Sequence, residues 1–244
     1  MAVAFDSASY KFDSLSATDN TTFSHVVSTL ATDRAAVLGV VWWGASDATG
    51  GTVTASFGGV SMDAGTVVRW FSDKCALYPF TLEDPGTGSK TIQVDVSSMG
   101  GAGDVGIVCG TYSGVGSIGS PTTQGPSATV SNSVTVSSDD PCDRVVTVHG
   151  INTAPVSSLH FTNYNKTIRM FPGAILLGDG AGAASVVGTA TMSSSNSFWG
   201  AFGVSLEAAP ISIEASLSIP VNISASASLY RVETPDPRRT WVIA

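Results

Sequence analysis

Residues 35–43 read AAVLGVVWW, an uninterrupted apolar run opened by Ala35 and closed by Trp42 and Trp43. A membrane-spanning helix needs about 20 such residues, so this run is too short to cross a bilayer. Its valines favour an extended chain, and a short continuous apolar run bounded by polar residues predicts a strand buried on both faces. Adjacent residues of a strand point to opposite sides, so Trp42 and Trp43 diverge and at least one enters the core.

Working outward, strand signals recur and helix signals do not. Thr52 to Phe57 alternates, and Gly58-Gly59 supplies a turn before Val60, Ser61 and Met62. Strands are predicted at 67–71, 75–82, 91–96, 105–112, 128–136 and 144–149, then at 168–171, 174–177, 185–192 and 198–206. Between them lie Ser72-Asp73 and the stretch from Asp84 to Gly88, where Pro85 presets φ and the glycines permit φ > 0. No window keeps a helical apolar stripe for three turns. The expected fold is all-β, an antiparallel β-sandwich of jelly-roll type.

Composition agrees. Ser and Thr number 60 of 244 residues, Gly adds 26, and charged residues are only 12%, about half the usual share. The mean hydropathy of +0.26 excludes a disordered chain. The 11 Lys and Arg against 19 Asp and Glu exclude a basic nucleic-acid binder. No apolar run has transmembrane length, and the N-terminus MAVAFD meets Asp6 with no basic residue before it, so neither a membrane span nor a signal peptide is expected. Cys75, Cys109 and Cys142 are odd in number and lack C-x-x-C spacing, which predicts free thiols and a reducing compartment.

The composition changes at Pro210. Residues 211–219 (ISIEASLSI) and 221–229 (VNISASASL) alternate strictly, placing Ile, Leu, Val and Ala on one face. Two prolines then keep 235–243 (PDPRRTWVI) extended. The chain therefore divides into a sandwich, 1–208, and an extended C-terminal β arm, 209–244. In the arm, Arg238 and Arg239 can grip carboxylates bidentately, and Trp241, Val242 and Ile243 form an apolar anchor for a partner.

Chemistry finds little support. Gly114 to Gly119 (GVGSIG) matches G-x-G-x-x-G, but Pro121 and Pro126 forbid the helix that would hold a pyrophosphate, so it reads as a glycine loop. Gly178 to Gly182 reads as a hairpin tip. Asp139, Asp140 and Asp143 could hold a cation, yet EF-hand spacing is missing and a solvated turn is expected. His25, His149 and His160 have no metal-site spacing, and no G-x-S-x-G elbow occurs, although a Ser–His–Asp triad assembles in space and leaves no spacing to read. Neither catalytic residues nor a metal or cofactor is expected. The five tryptophans and five tyrosines could form a glycan-stacking face.

Three passages resemble β-sandwich virion proteins of tailed bacteriophages, especially those of actinobacteria. The first runs through Ala4-Phe5-Asp6, Phe23-Ser24-His25, the segment from Arg34 to Val40 and the stretch from Ser56 to Val60. The second is 197–208 (SFWGAFGVSLEA), similar to a closing strand, and the third is the 235–243 tail. The resemblance implies a non-enzymatic virion subunit made in the host bacterial cytoplasm, a minor tail protein or a head decoration protein. Its implied partners are other virion subunits, in a homo-oligomer, and not nucleic acid or membrane. A carbohydrate- or host-surface-binding module is the alternative.

Overall fold

The structure is a computed structural model that describes residues 2–30, 32–152, 156–159, 163–169, 174–192 and 198–210. Ten strands form the first half: β1 (Ala4–Leu15), β2 (Asp19–Val27), β3 (Ala35–Gly44), β4 (Thr52–Phe57), β5 (Val60–Ser61), β6 (Asp63–Ala64), β7 (Val68–Trp70), β8 (Cys75–Glu83), β9 (Gly88–Ser97) and β10 (Gly103–Ser113). Nine form the second: β11 (Val115–Ile118), β12 (Thr122–Ser127), β13 (Ser131–Val136), β14 (Arg144–Ile151), β15 (Val156–Leu159), β16 (Asn163–Arg169), β17 (Ala174–Ala181), β18 (Val186–Met192) and β19 (Trp199–Ala208). All the described strand pairs are antiparallel. The fold is an all-β sandwich architecture, and Met1–Ile211 forms one compact unit.

The sandwich is built twice. In the first half, β1-β10-β3-β8, extended by β6 and β7, lies against β2-β9-β4-β5. In the second, β12-β19-β14-β17, extended by β11 and β16, lies against β13-β18-β15. Put β12, β13, β14 and β15 for β1 to β4, and β17, β18 and β19 for β8, β9 and β10, and the two orders coincide. First and last strands are neighbours in one sheet and second and penultimate strands in the other, the order of a jelly roll. Among the described residues β5 has no counterpart in the second half.

Three apolar layers join four sheets. Leu38, Val40 and Trp42 pack with Phe57, Ile92 and Val94 inside the first roll. On the other face of the same sheet, Val37, Val41 and Trp43 pack with Val146, Val148, Ile175 and Phe202 of the second roll. Ile151, Leu176 and Trp199 pack with Val134 and Ala190 inside the second roll. β3 is thus buried on both sides, which is why its sequence never alternates, and Trp42 and Trp43 serve different cores.

The rolls interlock where β3 crosses β14. A Cβ on Gly39 would stand 2.6 Å from Val148 Cγ1, and one on Gly150 would stand 2.6 Å from Val41 Cγ2. Each glycine therefore receives a valine from the opposite roll, at a distance no side chain tolerates. Gly39→Val should destabilise the protein by about 1–3 kcal/mol through overpacking, read as a lower denaturation midpoint, and Val148→Ala in the same chain should restore part of that loss.

Three local expectations are corrected. Gly114 to Gly119 is not a free loop, because Val115–Ile118 is strand β11, paired with β19. Gly178 to Gly182 is not a tip: β17 runs through to Ala181, and β14 and β16 flank it where a tip would lie in solvent. The strand expected at 128–136 begins only at Ser131, as β13, and a separate strand, β12, ends before it at Ser127 where none was expected. The turn at Gly58-Gly59 stands, with φ of 59° and 83° and a Phe57–Val60 pair closing a two-residue hairpin.

Candidate functional site

A cleft of about 450 Å³ opens where the chain passes from the first roll to the second. Its walls are Thr32, Asp33 and Arg34 ahead of β3, Glu83 and Asp84 at the end of β8, and Val115, Gly116 and Ser117 of β11. Backbone bonds fix the walls: Gly114 N donates to Thr32 O at 2.9 Å and Val115 N to Asp33 O at 2.6 Å. Asp33 and Asp84 are left-handed, at φ 49° and 46°, a conformation that aspartate adopts more readily than most residues.

The electrostatics are acidic. The Arg34 guanidinium pairs with Asp84 and donates through Nε to Pro85 O at 2.9 Å. Three carboxylates, Asp33, Glu83 and Asp84, thus surround a single arginine among the cleft's lining residues. Ser117 Oγ donates to Glu207 Oε2 at 2.5 Å, bringing a fourth carboxylate beside β11. Just past the end of β19, Ala209 N donates to Gly114 O at 2.8 Å. Such a cleft attracts cations.

The sequence-derived sites are placed unevenly. Arg238, Arg239, Trp241, Val242 and Ile243 lie outside the described residues, as does His160. Asp143 is a staple: Oδ2 accepts from Ser138 Oγ at 2.5 Å and Oδ1 from Ala208 N at 2.7 Å, while Asp140 Oδ1 accepts from Cys142 N. No group of three or more His, Cys, Asp or Glu among the described residues converges as metal ligands would. Cys75 and Cys109 are buried and free; burial pushes the Cys75 thiol up to about 12 and Cys109 higher still, so both stay protonated at neutral pH. Trp42, Trp43, Trp70 and Trp199 are all buried and offer no glycan-stacking face.

Sequence reasoning missed a hydroxyl network around His25. Ser9 Oγ lies 2.6 Å from Nδ1, and Ser7 Oγ and Thr111 Oγ1 each lie 3.0 Å from Nε2. Ser7 donates to Val26 O and Thr111 to Asp6 Oδ2 at 3.2 Å, so both hydroxyl protons are spent. Nε2 must then carry the ring proton and Nδ1 must accept from Ser9. A catalytic triad places a carboxylate on Nδ1; here a serine holds that place, and Asp6 reaches the ring only through Thr111. The group ties β1, β2 and β10 together as a latch. His149 is held likewise, between Thr147 Oγ1 at 3.0 Å and Asn132 Oδ1 at 3.1 Å. Burial pushes His25 down to about 4, against the pull of Asp6, and His149 down to about 3.

No family model matches this chain, and neither a curated protein nor a solved structure matches it.

Proposed function

We propose that the chain is a structural subunit of a bacteriophage virion, a minor tail protein that assembles through β-strand and C-terminal-arm contacts, with head decoration as the neighbouring alternative. Jelly rolls recur in viral capsid and lectin domains, which is support by fold-level analogy alone. The observation that carries the reading is a division of charge. The arm's Arg231, Arg238 and Arg239 are matched by Glu214, Glu233 and Asp236, so the whole formal charge of −8 belongs to 1–208. Within that body, carboxylates converge on the cleft beside β11. Arg238 and Arg239 of one copy would pair with this acidic surface on a neighbour, while the alternating segments 211–219 and 221–229 add strands to an open sheet edge.

Light scattering on full-length and 1–208 protein tests the assembly. The truncated chain should stay folded and become monomeric, and mass spectrometry of purified particles should find only the full-length chain. Replacing both arginines by glutamate should abolish assembly, and Glu83→Arg should restore part of it. A truncation that unfolds, or that joins particles normally, defeats the reading. A glycan-binding module is the second reading, favoured by the exposed rings of Phe71 and Phe198, 5.6 Å apart; a glycan-array signal lost in Phe198→Ala would support it.

A further inference from the structure

Strand β1 is long but shallow. Of its residues only Leu15 is buried, whereas all of β3 except Gly44 is buried. Phe5 adds an edge-on contact with Tyr112, the ring centres 5.8 Å apart. Between these two apolar ties, hydrogen bonds hold the strand. Asp6 Oδ2 accepts from Ser28 N at 3.0 Å, Asp13 Oδ2 accepts from Thr21 Oγ1 at 2.7 Å, and Ser7 and Ser9 meet His25 in the latch.

The latch has one member that titrates in the mildly acid range. Nδ1 of His25 accepts from Ser9, which only a neutral ring can do. A proton on Nδ1 turns that acceptor into a donor facing a hydroxyl proton, and it leaves a cation in a buried place. Charged neighbours offer little relief. On β1, Asp6 reaches the ring through Thr111, and Lys11 pairs with Asp13 at 3.4 Å. On β9, Lys90 is the register partner of His25, but its side chain lies along Gly58 and Gly86. β10 brings Thr111, and β4 brings the ring of Phe57, 5.5 Å away. Burial therefore outweighs Asp6 and holds the ring down to about 4.

We infer that the first roll carries an acid-released strand: on protonation of His25, β1 detaches from β2 and β10 while the rest of both rolls stays folded. Water reaches the ring once β1 has left, and releasing one shallow strand exposes far less apolar surface than unfolding the roll. The released form takes up its proton near 6.5 and the closed form only near 4. Each unit of pH downward in that interval favours release about tenfold, roughly 300-fold in all. Release bares the edge of β10 along Gly103–Ser113, a template for another extended chain.

Hydrogen exchange read by mass spectrometry on the full-length protein, from neutral pH down to the lower end of this interval and corrected for the intrinsic rate, tests the switch. Amides of β1 should exchange at least about tenfold faster than those of β3 and β14, which open only with the whole roll. Protection of β1 should fall about tenfold per pH unit below 6.5. In His25→Gln that slope should vanish. Ser9→Ala, which keeps the histidine, should lower the protection of β1 at every pH and retain the slope; it keeps the test valid if His25→Gln misfolds. Equal protection of β1 and β3 at every pH, a β1 indifferent to pH, or an unchanged slope in His25→Gln would overturn the assignment.

Discussion

Between pH 6.5 and 4 the protein should lose roughly 3 kcal/mol of stability through His25 alone, one pKa unit being worth about 1.4 kcal/mol. The unfolded chain takes up its proton near 6.5, whereas the folded chain resists until about 4, because the ring is buried and both nitrogens are already committed. As pH falls through this window the unfolded state binds more protons, so the equilibrium shifts toward it. His149, held down to about 3 inside the second roll, adds a loss of the same order that extends to lower pH. Asp179 works in the opposite sense: burial raises its carboxyl despite the Arg144 guanidinium, so its protonation partly offsets the loss. Urea titrations across this range should show a falling midpoint, with a shallower fall in His25→Gln. A midpoint independent of pH over the same interval would contradict the buried neutral histidines.

Val40→Asp should abolish the native state. Val40 is fully buried in β3, with Ile107 and Tyr78 opposite it on the flanking strands. Its side chain faces the apolar core of the first roll. An unpaired charge there costs more than the roughly 5–15 kcal/mol that holds a typical domain together. Val40→Ala, which only removes methyl groups, should cost about 2 kcal/mol and keep the fold. Circular dichroism of the two variants separates the outcomes; a folded aspartate variant melting near the wild type would show that water reaches this layer.

How far the sequence discloses this architecture depends on where each strand's side chains go. β3, β8 and β10, buried on both faces, announce themselves as apolar runs. β1 does not, because its inward positions carry Ser7, Ser9 and Asp13 while Tyr10 and Phe12 are exposed. β2 hides for the same reason, since the latch it builds is made of hydroxyls and a histidine. The doubling was illegible because the rolls share strand order and little sequence periodicity, and strand order appears only once partners are known. The cleft assembles residues from three distant segments; Asp84 could be read as a turn residue, but its partnership with Arg34 is a fact of register. The arm's strict alternation is legible in the sequence.

The glycine–valine interlock bears on ancestry. β3 and β14 hold the same place in their rolls: Val41 lies between Leu77 and Gly106, and Gly150 between Ile175 and Gly200. Two identical rolls meeting this way would set each residue against its own copy. Valine would strike valine at one level and glycine would leave a hole against glycine at the next. Here Gly39 meets Val148 and Val41 meets Gly150, large against small at both levels. A homodimer cannot make that choice, because one gene writes both sides. Two halves of one polypeptide can diverge, and the tether keeps them at an effective concentration in the millimolar range or above. The contact sets glycine against valine at both levels and so joins unlike surfaces. A chain built from two first halves would collide at position 41, and one built from two second halves would collide at position 148.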